Sequence, residues 1–212
     1  IRKAFYYDDD NQVCQLIQDV YVNGSIAGTE RNSSLYDFTG HLLKSKITHR
    51  PGVPEQRVFS KRFDYDPAGR LINTWLQLDN RPEILLRQNT WNELDQLVDV
   101  KLHSTDNGVT FRQSVDFRYN IRGWISSVNN SSLVSDGLIN DETNDLFGLN
   151  ILYETSDAFL KNTPDFSGNI SSLRWSMNQG KSTESERAYR FMYDPMDRLK
   201  NSELLINKSG WS

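Results

Sequence analysis

Three aspartates of this chain stand where carboxylates could act as general acids or bases. Asp37, Asp66 and Asp194 each follow a tyrosine directly and stand four residues before a histidine or an arginine. A carboxylate close to an imidazole or another carboxylate is a common arrangement for proton transfer. Because all three occupy one position of a repeated pattern, a shared role in a backbone turn explains them more simply than a catalytic set. The sequence therefore predicts that the chain is not an enzyme.

The other candidates for chemistry are three histidines and one cysteine. His41, His49 and His103 have no metal-ligand spacing such as HxxxH. We expect His41 to be a solvated neighbour of a turn, and Cys14, which has no evident activating partner, to be an inert small hydrophobe. Hydrolase signatures, P-loops and dinucleotide fingerprints are also missing from the sequence. The sequence thus predicts no catalytic, cofactor-binding or metal-binding residue.

A weaker candidate is a cation or glycan site that would use Asp136, Asp141 and Asp145. Their spacing fits no recognised calcium loop, which requires aspartates at the first and third positions and a glycine at the sixth. A long polar loop carried by one or two eroded repeats explains this stretch more simply.

The composition favours a folded chain that is rich in β-strands. Hydrophobic residues make up 37% of the 212 residues, charged residues 25% and strand-favouring aromatics 11%. The net charge is −4 and the basic residues are scattered, so no nucleic-acid footprint is present. No apolar run approaches the ~20 residues of a membrane helix. The N-terminus has no initiator Met and no signal-peptide layout, and we therefore expect a fragment of a longer polypeptide.

One seven-residue motif recurs along the chain and dominates the sequence. Position 1 is aromatic, position 2 is usually Asp or Asn, position 5 is Gly, Asn or Asp, and position 7 is aliphatic. Copies begin at Tyr7, Tyr36, Tyr65, Trp91, Tyr119 and Tyr193. The first five follow at spacings of 29, 29, 26 and 28 residues, and a gap of 74 residues precedes the sixth. Such regular spacing indicates a repeat protein.

Each motif position has a physical role in a β-hairpin. Gly, Asn and Asp tolerate positive φ at position 5, and the Asp or Asn at position 2 can accept hydrogen bonds from turn amides. Aromatic residues two apart before the turn, such as Phe63 and Tyr65, share one strand face. We expect Tyr65 and Leu71 to be buried. The residues assigned to the structural motif are Tyr7, Tyr36, Asp37, Gly40, Leu42, Tyr65, Asp66, Gly69, Arg70, Leu71, Trp91, Leu97, Tyr119, Gly123, Ile125, Tyr193, Asp194 and Leu199.

The predicted fold class is all-β, with antiparallel hairpin repeats that form one continuous curved or spiralling sheet. An ordinary antiparallel sandwich does not place the same turn chemistry at a fixed period, and a helical solenoid would need a period of 3.6 residues, which no long stretch shows. Residues 1–128 are regular repeats, 129–185 are divergent repeats with a long polar loop, and 186–212 contain a further repeat. We predict a single array.

The motif resembles that of the YD-repeat (RHS-repeat) family, whose signature is Tyr-Asp-x-x-Gly-Arg-Leu. The segment from Tyr65 to Leu71 matches every fixed position, and Asn169-Ile170 after Gly168 is similar to a Gly-Asn-Ile turn common in that family. The resemblance implies a bacterial, secreted or cell-surface protein whose repeats form an arc of a hollow β-shell, as in polymorphic toxins, toxin complexes and teneurins.

The function that this resemblance implies is structural. The segment would belong to a shell that encloses or presents a C-terminal effector or toxin, and the implied partners are neighbouring repeats of the same polypeptide, with the enclosed effector or secretion machinery as further possibilities. No nucleic acid, membrane insertion or cofactor is implied. The alternative is a cell-surface adhesin or glycan-binding array without cargo, for which Trp75, Trp124 or Trp175 would have to face outward.

Overall fold

The computed structural model describes residues 2–51, 56–134, 137, 145–178 and 186–207. This part of the chain contains fourteen β-strands and no helix. In chain order the strands are β1 Lys3–Tyr7, β2 Val13–Val22, β3 Ser25–Tyr36, β4 Leu42–Pro51, β5 Arg57–Tyr65, β6 Leu71–Leu78, β7 Ile84–Trp91, β8 Leu97–Ser104, β9 Gln113–Tyr119, β10 Ile125–Val128, β11 Phe147–Leu152, β12 Ser172–Met177, β13 Arg187–Tyr193 and β14 Leu199–Ile206.

The order of the strands in the sheet is the order of the sequence, from β1 to β14. Every strand therefore lies beside the strand that precedes it in the chain. The pairings from β1 to β7 and from β9 to β14 are antiparallel. The predicted all-β class of antiparallel hairpin repeats is confirmed. Within the described residues there is no helix long and apolar enough to span a bilayer.

The chain divides into two compact units. Unit 1 comprises Ile1–Asn89 and Lys101–Arg112, and unit 2 comprises Thr90–Val100 and Gln113–Ser212. The boundaries at residues 128 and 185, which separate regular from divergent motifs, describe a different property of the chain and stay a prediction.

Unit 1 is built mainly from cross-strand pairs on a single sheet layer. Phe59 lies opposite Leu78 and Phe63 opposite Thr74 across β5 and β6, and most of the side chains on both faces of these strands are only half-buried. Leu85 is a buried apolar side chain of this unit. Each cross-strand pair contributes about 0.2–1 kcal/mol, so the stability of this layer depends on many weak contacts.

Unit 2 contains a small hydrophobic core that the motif does not predict. Leu160, which is 0% exposed, lies in a buried apolar cluster with Ala188 of β13 and Leu205 of β14. Leu160 belongs to the segment 154–164, which lies between β11 and β12 in the chain. This segment therefore covers one face of the sheet in unit 2.

Hydrogen bonds hold this covering segment in place. The Asp157 carboxylate accepts bonds from the backbone amides of Phe159 (2.8 Å) and Leu160 (3.1 Å). The buried Asn162 side chain donates to the Thr155 carbonyl at 2.9 Å and to the Ser171 hydroxyl at 2.8 Å. These bonds satisfy the polar backbone that a buried loop would otherwise leave without partners.

Replacing Leu160 by Ala should destabilise unit 2 by ~2–5 kcal/mol, because a fully buried leucine leaves a cavity when it is truncated. The neighbouring Phe159 is 73% exposed, and Phe159→Ala should change the stability by no more than about 0.5 kcal/mol. Denaturant unfolding, monitored by the hydrogen exchange of backbone amides in β12 to β14, measures both changes. Equal effects of the two substitutions would show that the segment does not pack as described.

Candidate functional site: the contacts between successive repeats

Each motif forms the same hairpin turn, and the turn that begins at Asp66 illustrates it. The Oδ1 atom of Asp66 accepts bonds from the backbone amides of Ala68 (2.9 Å) and Arg70 (2.9 Å). The amide of Gly69 donates to the Asp66 carbonyl at 2.9 Å, and the amide of Asp66 donates to the Arg70 carbonyl at 3.0 Å. Four bonds therefore close a loop of only three residues. The same bonds form at Asp8, Asp37, Asn92, Asn120 and Asp194.

Position 5 of every copy has positive φ, as the sequence predicts. This geometry is that of a type I turn followed by a left-handed residue, which leaves a β-bulge in the hairpin. The strand register shifts accordingly at the motif aromatic, for example between Asp64 and Tyr65 and between Met192 and Tyr193. The position 5 residues of the six copies are Asn11, Gly40, Gly69, Asp95, Gly123 and Asp197.

The turn also fixes the charge state of the motif aspartates. The Thr39 hydroxyl and the backbone amides of Thr39 and His41 lower the pKa of Asp37 to about 2. The Arg70 amide and guanidinium lower the pKa of Asp66, and the Arg198 guanidinium, Nε of which lies 2.7 Å from Oδ2, lowers the pKa of Asp194. These carboxylates are therefore ionised acceptors within their own turns at neutral pH.

The motif tyrosines connect one repeat to the preceding repeat. The Tyr65 hydroxyl donates to the carbonyl of Leu42 at 3.1 Å, and the Tyr119 hydroxyl donates to the carbonyl of Leu97 at 2.9 Å. Leu42 and Leu97 are the position 7 residues of the preceding copies. The other bonds of this kind are Tyr36 to Val13 (3.5 Å), Tyr153 to Ile125 (3.1 Å) and Tyr193 to Ile170 (2.8 Å). One donor from each tyrosine thus reaches an equivalent backbone acceptor.

Tyr153 belongs to a copy of the motif that the sequence analysis recognised only through its turn at Gly168-Asn169-Ile170. Its hydroxyl makes the inter-repeat bond, but the matching turn begins only at Asp165, where Oδ1 accepts the Ser167 amide at 2.9 Å and Gly168 has positive φ. Segment 154–164 separates the two halves, and the Asp165 amide donates to the Tyr153 carbonyl at 2.8 Å, which closes its base. The likeness of 165–170 (DFSGNI) to 37–42 (DFTGHL) could have revealed this copy.

Asn89 is a second functional residue that the motif did not indicate. Trp91, at position 1 of its copy, has no hydroxyl to offer to the preceding repeat. The buried Asn89 side chain donates to the carbonyl of Leu71 at 2.9 Å. Leu71 is the position 7 residue of the preceding copy. The acceptor is therefore conserved in its role although the donor is a different side chain.

The side chain at position 6 covers the turn of the following copy. The His41 ring lies against the Tyr65 ring, with centroids 4.8 Å apart, and a β-carbon at Gly69 would lie 3.1 Å from it. Trp124 lies in the same way against Tyr153 and Gly168, with ring centroids 5.2 Å apart. The His41 side chain is paired with its own Asp37 and contacts the next turn, and it remains 37% exposed, in line with the expectation of a solvated neighbour of a turn.

The motif residues are less buried than the sequence suggests. Tyr65 and Leu71, which were expected to be buried, are half-buried because the layer has solvent on both sides. Tyr7 is 59% exposed and Leu199 is 57% exposed. The remaining members of the motif set, Leu42, Leu97 and Ile125, are half-buried at the starts of β4, β8 and β10.

The three tryptophans that an outward-facing glycan platform would require each contact another side chain. The Arg62 guanidinium lies over the Trp75 ring, 4.6 Å from its centroid, and the Trp75 indole donates to Asp64 at 2.6 Å. Trp124 packs on the following turn, and Trp175 stacks on Tyr189 with centroids 5.6 Å apart. Each of these three rings is therefore in contact with at least one other side chain.

Among the residues that the structure describes, no group of three or more His, Cys, Asp or Glu side chains could hold a metal ion. Asp136 and Asp141 lie outside the described residues, and Asp145 is buried. Cys14 is a half-buried free thiol whose Sγ lies 3.5 Å from the Tyr6 carbonyl.

The fold and these contacts define a β-hairpin repeat protein in which a side chain of one repeat caps a backbone acceptor of the preceding one. No family model matches the sequence, and no curated protein matches it significantly. Solved structures with a similar fold include the TcdB2-TccC3-Cdc42 complex, with 13% identity over 97% of this chain and a TM-score of 0.48. Another is a Tc holotoxin pore from Photorhabdus luminescens, with 14% identity over 94% of this chain and a TM-score of 0.42. The chain spans 11% of the length of each.

Replacing Tyr119 by Phe should lower the free energy of unfolding by about 0.5–1.5 kcal/mol, because the Leu97 carbonyl loses its donor while the ring remains. Tyr6→Phe is the matched control, since Tyr6 lies outside the motif and is 50% exposed; it should have no measurable effect. Urea denaturation of both variants tests this. If the two curves coincide with wild type, the inter-repeat bond does not contribute to stability.

Replacing Gly69 by Val should cost more stability than replacing Gly24 by Val. Both glycines have a φ of +81°, but Gly24 has no atom within 4 Å of the added β-carbon, whereas Gly69 faces the His41 ring. Both variants should lose about 1–2 kcal/mol of stability because valine must adopt a left-handed backbone conformation. Gly69→Val should lose roughly a further 1 kcal/mol or more from steric overlap with the His41 ring. Thermal melting compares the two. Equal losses would mean that His41 does not restrict the following turn.

Proposed function

We propose that the chain is a structural segment of a longer secreted or cell-surface RHS/YD-repeat protein. In this proposal it forms part of a shell that encloses or presents a C-terminal effector. The observation that carries the structural role is the set of five tyrosine hydroxyls, each of which donates to the position 7 carbonyl of the preceding repeat. Such bonds use the most distinctive residue of the motif to join repeats.

The use of the other motif residues supports the same role. The carboxylates Asp37, Asp66 and Asp194 accept bonds from the amides of their own turns, and position 6 side chains pack on the next turn. A repeat whose sheet face is only half-buried depends on its neighbours for stability. Motif residues that hold successive repeats together in this way favour a structural wall over a binding surface.

The proposed bacterial origin, the location outside the cell and the enclosed effector rest on the resemblance of Tyr65-Asp66-Pro67-Ala68-Gly69-Arg70-Leu71 to the family signature. Of the two classes considered, the glycan-binding array has less support, because Arg62 occupies one face of Trp75 and Tyr153 and Tyr189 contact the other two tryptophans.

Electron microscopy of the full-length parent protein tests the proposal. We expect a hollow particle in which this segment forms part of the wall and a C-terminal region that resists protease. Tyr119→Ala with Tyr193→Ala should increase the rate at which that region is cleaved, because two inter-repeat bonds are lost, whereas Tyr6→Ala should leave the rate unchanged. A solid particle without a lumen, or a C-terminal region that is cleaved freely in the wild type, would overturn the shell.

A further inference from the structure

Among the cations on one face of unit 1 that have no carboxylate partner in the described residues, three lie next to one another. They are Arg31 of β3 and Lys46 and Arg50 of β4, and all three are exposed. Arg31 lies directly opposite Thr48, so Lys46 and Arg50 occupy the two diagonal positions beside it. Diagonal neighbours of this kind are about 7–8 Å apart, within reach of long side chains. We call these three residues the cationic cluster.

The cluster surrounds a cavity rather than a flat surface. The cavity has a volume of about 200 Å³, and Ile17, Thr29, Thr48 and Gln56 complete its lining. The hydroxyls of the two threonines add hydrogen-bonding groups at its wall. One cluster member makes a neutral contact, in which Nε of Arg50 donates to the Gln56 side chain at 3.0 Å. The cavity is thus suited to an anionic group with several acceptor oxygens.

Carboxylates close to this face are already engaged. Asp19 of β2 forms an ion pair with Arg2 at 3.1 Å, and Asp64 of β5 pairs with Arg62. Glu30 alternates with Arg31 along β3, lies on the opposite face and approaches His49 at 3.7 Å. The chain as a whole carries a net charge of −4, so this local excess of positive charge runs against the overall balance. Like charges at such spacing repel each other and destabilise the sheet unless an anion binds.

Unit 2 shows what cations on the corresponding face bind. In both units this is the face opposite the motif tyrosines. In unit 1, Lys46 and Thr48 alternate with Ile47, and Ile47 pairs with Phe59, which lies on the same face as Tyr65. In unit 2, Arg190 alternates with Tyr189 and Phe191, which lie on the same face as Tyr193. Arg174 donates to the Asp157 carboxylate at 3.2 Å, and Arg190 donates to the Leu160 carbonyl at 3.0 Å. These arginines therefore hold a segment of polypeptide against the sheet.

We propose that the cationic cluster of unit 1 is a docking site for an acidic, extended segment of a partner polypeptide. A carboxylate side chain of the segment occupies the cavity between Arg31, Lys46 and Arg50, as the Asp157 carboxylate reaches Arg174 in unit 2. Backbone carbonyls of the segment accept bonds from the same cations, as the Leu160 carbonyl does from Arg190. In unit 1 the described residues place no such segment over this face.

Binding of fluorescein-labelled hexaglutamate, measured by anisotropy at low ionic strength, tests the site. The Arg31→Gln/Lys46→Gln variant should weaken binding by about tenfold, the loss expected for two exposed ion pairs. The matched control is Lys3→Gln/Lys61→Gln, which removes the same charge from the opposite face of unit 1 and should weaken binding less than about twofold. Amide shifts at Thr29 and Thr48 on addition of the peptide should locate it.

Three results would overturn the proposal. The first is the absence of saturable binding by the wild type, and the second is an equal loss of affinity in the control variant. The third is displacement of the peptide by inorganic phosphate when the phosphate concentration only equals the concentration of peptide carboxylates. That third result would show that the cavity is a simple anion site. Melting temperatures separate binding from folding. The Arg31→Gln/Lys46→Gln variant should melt at or above the wild-type temperature, because the substitution relieves repulsion within the cluster.

Discussion

The constraint on which this structure depends is that a single layer of strands cannot bury a core of its own. Unit 1 has solvent on both faces of most strands, so apolar burial stabilises it less than in a two-layer domain. Cohesion must then come from bonds within the layer. The tyrosine hydroxyl that reaches a carbonyl at the start of the adjacent strand adds to the strand pairing a tie between one hairpin and the preceding one. Such a tie resists sliding of one hairpin along the next.

The exceptions to the motif show that the acceptor matters more than the donor. Where Trp91 replaces tyrosine, the Asn89 amide caps the Leu71 carbonyl, and where segment 154–164 interrupts the motif, Tyr153 still reaches Ile125. A carbonyl left bare beside a bulge would carry a desolvation cost. The geometry of the hairpin keeps creating that acceptor, and different side chains satisfy it.

Much of this arrangement could be predicted from the sequence, because turn chemistry is local. The residue types of Gly69 and Asp197 predict positive φ at position 5 of the motif. Asp66 predicts a carboxylate that accepts hydrogen bonds from the backbone amides two and four residues later. Burial and inter-repeat contacts depend on residues far apart in the chain, so the burial of Tyr65 was overestimated and the stacking of His41 was not foreseen. Tyr153 was missed because an insertion removed the adjacency by which the motif is recognised, although the turn at Asp165 lies 29 residues before Asp194 and keeps the usual period.

The split copy shows where an array of this kind can accept new material. The Tyr153 hydroxyl bond and the Asp165 turn form independently, and one backbone bond between Asp165 and Tyr153 brings the ends of the insertion together. Extra residues placed between positions 1 and 2 of this motif therefore leave in place the tyrosine bond to the preceding repeat and the carboxylate acceptor of the turn. This junction offers a grafting point at which a protein engineer could add a loop, or evolution a new surface, without changing the register of the strands on either side.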